Sequence, residues 1–290
     1  MHSESYAHNY VCECNRAFNA ETLHPLVSLI DMSAPCDGSH IKTDCYAVMF
    51  RHSTDNDGRY GHRYYDYSDG TLLFITPHKE IDLSTNDGTL LIFHPNLISC
   101  TPLGMRLKEY SFFRYRTDEA LHVSCCEAKV VSRCLEDINN ELEWGVDEYS
   151  KTIISNIIDL LLAYCRRFYN RQFITRHNAN VDTIAALDGI INRYFESGTA
   201  AEKGLPTAGT AAQQLGMSAA YLNDMMKNET GKTVSEYVQL RRMAMAKQML
   251  MADDRSVGEI ASLLGFATEK LFTTLFKKIT GCTPDEYRNG

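Results

Sequence analysis

The chain lacks most of what would mark a membrane protein, a secreted protein or an enzyme. No uninterrupted apolar run approaches the ~18 residues of a membrane-crossing helix. The richest stretch, Ile153 to Tyr164, is broken by Ser155, Asn156 and Asp159. The opening Met-His-Ser-Glu-Ser-Tyr has neither the basic flank nor the apolar centre of a secretory signal, so a cytoplasmic chain with reduced thiols is expected. Among the ten cysteines, Cys12-Glu13-Cys14 and the adjacent Cys125-Cys126 lack zinc-type Cys-x-x-Cys spacing. No Gly-x-x-x-x-Gly-Lys phosphate loop occurs, nor any nucleophile with a base at a recognisable spacing. Catalytic residues, a metal site and a cofactor are therefore not expected.

An excess of basic charge is also missing. Twenty-nine Lys and Arg stand against 37 Asp and Glu, a formal net charge of −8, which disfavours loose binding to polyanions. The deficit is uneven. From Leu205 to Gly290 there are ten basic and nine acidic residues, a net of +1, which leaves −9 for the remainder. Any basic face in that last segment must come from arrangement rather than from total charge.

What is present is an internal repeat. Ala212-Gln-Gln-Leu-Gly-Met-Ser and Ala261-Ser-Leu-Leu-Gly-Phe-Ala share alanine, leucine and glycine at an offset of 49. Beyond the glycine the offset becomes 50: Lys227, Thr230, Gly231, Thr233, Glu236 and Tyr237 coincide with Lys277, Thr280, Gly281, Thr283, Glu286 and Tyr287. One residue has been inserted between the turn and the second helix. The small residues Ala212 and Ala261 suit a close helix approach, and Gly216 and Gly265 suit a turn that needs positive φ, which together predict two helix-turn-helix units. Ser256 with Glu259 fits a capping box at the start of the second unit, and Pro206 fits the first turn of the first. Between the units, Ser235 to Met251 reads as one amphipathic helix. Its seventeen residues span about 25 Å, short of the ~34 Å between successive major-groove faces, but the two reading helices lie beyond its ends.

These residues resemble the DNA-binding domain of the AraC/XylS family of bacterial transcription regulators. The matching positions are Ala212, Gly216, Ser218, Tyr221-Leu222, Lys227, Thr230-Gly231, Arg241, Ala246, Ile260-Ala261, Gly265-Phe266, Phe272, Phe276-Lys277-Lys278, Gly281 and Thr283-Pro284 through Tyr287-Arg288. The resemblance covers about the last 85 residues. It implies double-stranded DNA as partner, with Ala219, Ala220, Asn223 and Asp224 toward the groove from the first unit, and Thr268, Glu269, Lys270, Thr273 and Thr274 from the second. Asn bonds adenine, Thr a base edge or a thymine methyl, and an acid accepts from cytosine N4. Lys227, Lys277 and Lys278 are expected on phosphates, which set register without reading sequence. Asp224 and Thr274 depart from the family's frequent arginine, so the bidentate guanine contact is missing. Met225, Met226, Leu275 and Phe276 read as core.

The first part of the chain reads as β. Asp69-Gly70-Thr71-Leu72-Leu73 recurs as Asp87-Gly88-Thr89-Leu90-Leu91, each a turn signal before a short apolar strand that stops at Pro77 or Pro95. Such spacing suggests an antiparallel barrel or sandwich, and the resemblance implies an effector-binding barrel of the cupin kind. The fold class expected is α+β: a cupin-like antiparallel β-barrel with helices, then an all-α domain of two helix-turn-helix units. The domains expected are 1–178 for regulation and dimerisation (barrel about 20–115, helices about 118–170), 179–204 as connecting helix and linker, and 205–290 for DNA. A cupin metal site would need a His-x-His pair, which the sequence does not contain; His62, His78 and His94 lie apart.

In the run Tyr60 to Tyr67, strand alternation would place Arg63, Tyr65 and Tyr67 on one side, as a pocket wall for a polar or anionic effector or as an aromatic face packed on helices. Two helices are predicted from about Asp118 to Leu142 and Asp147 to Tyr169. In the second, Ile154, Ile158, Leu161, Cys165 and Phe168 step by four, three, four and three, a seam that either pairs two subunits or covers the barrel. The function expected is an effector-responsive, homodimeric transcription regulator, with RNA polymerase a further candidate partner. Two alternatives stay open: a cupin-like metal-dependent enzyme fused to a DNA-binding module, and an adaptor whose barrel binds a protein.

Overall fold

The computed structural model describes residues 9–33, 40–52, 59–82, 87–252 and 255–289; the Met1 to Tyr6 stretch read above for a signal lies outside them. The chain divides into two compact units, Met1–Arg176 and His177–Gly290.

The first unit is built on a five-stranded antiparallel sheet in the order β1-β6-β3-β4-β7, from β1 (Val27–Asp31), β3 (Tyr46–Arg51), β4 (Thr71–Ile75), β6 (Thr89–Phe93) and β7 (Leu121–His122). β2 (His40–Lys42) and β5 (Glu80–Asp82) form a separate ribbon. The central strands β3, β4 and β6 are largely apolar on both faces because both are covered. The register pairs Met49 with Leu73 and Leu90, and Val48 with Phe74 and Leu91. The Met49 face meets Val11 and Cys14 of α1 (Asn9–Ala17) and Phe18 just after it. The opposite face carries an aromatic stack, in which Phe74 lies 4.3 Å from Phe112 and Tyr46 lies 5.4 Å from both Phe93 and Phe113. At Gly88, φ is +101° and a Cβ would fall 2.1 Å from the Phe50 carbonyl oxygen, so this position at the entry to β6 needs glycine.

The sheet is open among the described residues: no pairing joins β1 to β7, and the closed barrel expected from the strand spacing is not formed. The cause is visible at β7. The fully buried Gln172 takes the place of a further strand, accepting from the His122 N–H at 2.8 Å and donating to the Ala120 carbonyl at 2.9 Å. A helix side chain thus satisfies the edge that barrel closure would have used.

Gln172 belongs to α5 (Ser150–Thr175), which pairs with α4 (Cys125–Trp144). α4 begins later than predicted because residues 121–122 are strand and Ser124 with Glu127 makes a capping box. Short helices α2 (Pro95–Ile98) and α3 (Pro102–Arg106) precede single turns at Leu107–Glu109, Ser111–Arg114 and Thr117–Glu119. The seam of α5 is consumed inside the monomer: Ile154, Ile158, Leu161 and Cys165 are 0% exposed and Phe168 7%. It packs against the chain's own elements, chiefly α4, and no apolar surface is left on it for a second chain.

The predicted tyrosine strand is not formed either. Residues 61–67 are loop and turn. Arg63 and Tyr67 are exposed, Tyr65 stacks edge-on against the exposed Tyr64, and the Arg171 guanidinium lies 4.5 Å from the Tyr67 ring. The residue this loop buries is Asp66, held by Arg176 through bonds of 2.9 and 2.7 Å. A buried bidentate pair defines a loop conformation that strand pairing would forbid.

The second unit is all helical: α6 (His177–Glu196), α7 (Thr199–Lys203), α8 (Ala208–Leu215), α9 (Ala219–Thr230), α10 (Val234–Ala252), α11 (Val257–Leu263), α12 (Glu269–Thr280) and α13 (Pro284–Asn289). α6, read from sequence as part of a connector, packs within this unit with Leu187 and Ile191 fully buried. His177 Nδ1 and Asn180 Nδ2 meet the Glu229 carboxylate of α9 at 2.8 and 2.7 Å. Arg241 and Tyr237 of α10 meet Asp188 at 3.0 Å each. The stretch 197–204 contains α7, whose Ala200 is buried against the turn at Gly265. Among the described residues no helix is long and apolar enough to cross a membrane.

Candidate nucleic-acid interface

The duplicated sequence folds into duplicated geometry. In the first unit α8 ends at Gly216 (φ +68°), and the Ser218 hydroxyl caps α9 by accepting from the Tyr221 N–H at 3.1 Å. In the second, α11 leads through Gly265 (φ +70°) to Thr268, whose hydroxyl caps α12 by accepting from the Leu271 N–H at 3.2 Å. The inserted residue is Ala267, between turn and cap. Ala212 and Ala261 are both buried where the helices approach. α8 begins at Ala208 rather than at Pro206, because Thr207 is its cap and forms a box with Thr210. The box of Ser256 with Glu259 opens α11, with bonds of 2.7 and 3.2 Å.

α9 and α12 are both twelve residues long and end alike. Thr230 and Thr280 each donate to the carbonyl four residues back at 2.7 Å, Gly231 and Gly281 take left-handed φ, and Thr233–Glu236 and Thr283–Glu286 open the following helix with the same 2.7 and 3.2 Å bonds. The backbone N–H groups of Thr233 and Thr283, and then their hydroxyls, hold the Glu236 and Glu286 carboxyls below the usual range; Lys227 and Lys277 add a smaller effect in the same direction. Each candidate reading helix is therefore clamped at both ends, which fixes its direction relative to its neighbours.

The side chains differ more than the backbone does. On α12, Glu269, Lys270 and Thr274 are exposed, as are Thr268, Lys277 and Lys278, while Thr273 is half-buried. The Thr274 hydroxyl donates to the Lys270 carbonyl at 2.8 Å, which leaves its methyl and its oxygen lone pairs outward. On α9, Lys227 is exposed, but Ala219, Ala220, Asn223 and Asp224 are half-buried. Asn223 turns inward. Its oxygen accepts from the Val234 N–H at 3.0 Å and its nitrogen donates to the Ala219 carbonyl at 3.0 Å, so the amide ties α9 to the start of α10. Tyr221, Leu222, Met225, Met226, Phe272 and Phe276 form the core, whereas Leu275 is only partly buried.

Sequence reasoning missed the part played by Arg242. In α10 it sat among polar residues of an apparently amphipathic pattern, yet it is buried, with its guanidinium carbon 3.3 Å from the centre of the Phe266 ring and its Nε donating to the Leu264 carbonyl at 2.7 Å. Desolvation pushes its pKa down to about 10. Arg242 lies on the buried half of α10, with Val234, Val238, Met243, Met245, Ala246 and Leu250. Arg242 holds the turn of the second unit, and its neighbour Arg241 binds α6. Among the described residues no group of three or more His, Cys, Asp or Glu side chains is arranged to hold a metal.

Residues 211–290 match the family model described as a helix-turn-helix domain. The transcriptional regulatory protein YesN of Bacillus subtilis is 45% identical over 80 residues, which are 27% of this chain and 22% of YesN, so this chain spans about a fifth of that relative. The regulatory protein SoxS of Salmonella typhimurium is 32% identical over 78 residues, 27% of this chain and 73% of SoxS. Among solved structures, the C-terminal domain of the response regulator yesN from Fusobacterium nucleatum is 31% identical and covers 37% of this chain and 98% of its own, with a TM-score of 0.31. By the two capped helix pairs and by a match that spans most of SoxS, the chain belongs to the AraC/XylS family of helix-turn-helix transcription regulators.

Proposed function

We propose that the protein is a sequence-specific transcription regulator that binds double-stranded DNA through α9 and α12, and whose N-terminal unit senses a small-molecule effector, dimerises, or does both. The observation that carries the DNA reading is the pair of reading helices with the same length, caps and terminal bonds at a constant offset of 50. Lys227, Lys277 and Lys278 hold phosphates. Glu269, Lys270, Thr273 and Thr274, with Thr268 at the helix start, meet base edges in the second unit; Ala219 and Ala220 offer methyl contacts and Asp224 an acceptor in the first. Asn223 sets the angle between α9 and α10 and leaves base reading to its neighbours. The segment 205–290 binds DNA, with α6 and α7 as its supports.

The dimerisation reading moves to the outer side of α5. There Ile153, Ile157, Leu160 and Tyr164 step by four, three and four, and Ile153 and Leu160 remain exposed. Effector sensing and contact with RNA polymerase are what the family leads us to expect of such a chain.

Selection of bound sequences from random DNA by the full chain tests this. Two enriched elements about one helical turn, ~34 Å, apart are expected. The absence of any enrichment beside a matched non-binding control would overturn the reading.

A further inference from the structure

The first unit contains a cavity of about 500 Å³, and its lining is chemically one-sided. Its floor is apolar and aromatic, with Tyr46, Ile98, Leu107 and Phe113; its rim carries Lys108 and Arg114, both exposed; and among the described residues no carboxylate lines it. Ser99 and Thr76 add hydroxyls at the edge. A volume of this size suits a small organic ligand, and two cations above an apolar floor select an anion with an apolar body.

The wall of the cavity is also connected. Met105, Leu107 and Tyr110 belong to the stretch from α3 into the following turn. That stretch is fastened to α5 at Asp159, which accepts from the Arg106 guanidinium and, at 2.7 Å, from the Tyr110 hydroxyl, and at Arg166, whose guanidinium lies 5.5 Å from the Tyr110 ring. A molecule seated against Met105 and Tyr110 therefore bears on α5, whose outer side carries the proposed dimer stripe.

We propose that this cavity, and not the Tyr60 to Tyr67 loop, is the effector site, and that its ligand is an organic monocarboxylate with an alkyl or aryl body, the carboxylate at Lys108 and Arg114 and the body on Tyr46, Leu107 and Phe113. The proposal deepens the reading of the N-terminal unit as the sensing half and rests on it.

Titration calorimetry of the full chain with decanoate and phenylbutanoate, against decanol and phenylbutanol, tests the assignment. Saturable binding of the carboxylates is expected, weakened about tenfold or more in the alcohols and in the Lys108→Gln/Arg114→Gln variant, since each charge-assisted bond lost costs at least that. Both substituted side chains are exposed, so the variant folds as the parent does. A second readout is the alkylation of Cys100, an exposed thiol on the cavity lining, followed by mass spectrometry of its own peptide: bound carboxylate slows it, and in the variant the slowing disappears. No binding, equal binding of acid and alcohol, or an unaffected variant would each overturn the proposal. DNA binding by the same preparations is measured in parallel. If it persists while carboxylates fail to bind, the cavity assignment falls and the regulator reading stands; if DNA binding alone fails, the reverse holds.

Discussion

Replacing Asn223 separates a reading residue from a positioning residue. In Asn223→Ala the Val234 N–H loses its acceptor. That group is at the first position of α10, where no intrahelical partner exists, and Val234 is fully buried. The loss of this cap-like bond costs about 1–2 kcal/mol. For a unit of this size that is a fall in melting temperature of several degrees. Asn223→Asp keeps the acceptor and places negative charge at the start of a helix, which is favourable, but loses the donor to the Ala219 carbonyl, so it recovers part of the loss. Thermal unfolding of the full chain followed by circular dichroism reads the first effect. Competition binding to a panel of selected sites, at a temperature where all variants are folded, reads the second. The expected outcome for Asn223→Ala is a lower melting temperature and weaker binding at every site, with an unchanged order of preference. An unchanged melting temperature together with a new preference at a single base pair would refute the reasoning and put the amide at a base edge.

Three further outcomes are expected. Lys277→Ala/Lys278→Ala weakens binding to all sequences and lowers the salt slope by about one unit per lost contact, measured by titration at several salt concentrations; a loss confined to one site sequence would contradict phosphate contact. Leu161→Ala destabilises the first unit by about 2–5 kcal/mol in urea unfolding, because a fully buried side chain leaves a cavity, whereas Leu160→Lys, at a half-exposed position, leaves stability nearly unchanged and disrupts self-association in light scattering; the opposite pattern would restore the inner seam as the dimer face. The third concerns acid. Burial pushes His122 down to about 4 from 6.5. Between those values the unfolded chain binds a proton that the folded chain refuses, so stability falls as pH falls through this window, by at most about 1.4 kcal/mol per pH unit. Urea midpoints at pH 7, 6 and 5 show this slope as a difference from a His122→Gln variant, and equal slopes would remove His122 as its source.

The sequence determined what local chemistry controls. The glycines at 216 and 265, the cap at Ser256 and the offset that shifts from 49 to 50 all reappear as geometry, because turns and caps depend on the few residues beside them. The short apolar strands β4 and β6 were legible behind Asp69-Gly70 and Asp87-Gly88, but neither pair forms a turn: Asp69 and Gly70 bond to Val123. Tertiary structure decided every question that turned on which neighbour a side chain meets. A heptad step in α5 is the same pattern whether its partner is a second subunit or a helix of its own chain, and only the fold shows α4 beside it. A tyrosine-rich run alternates like a strand, but the buried pair of Asp66 with Arg176, 110 residues apart, holds it as a loop. Gln172 stands in for a strand only because α5 lies along β7, and Arg242 is buried only because Phe266 and Leu264 come to it from the second unit. Asn223 looks like a base reader in one dimension and is a structural tie in three, since its acceptor serves an N–H eleven residues on. Short-range backbone preferences are written residue by residue in the chain; the partners of a polar side chain are fixed by packing between segments that the sequence does not place side by side.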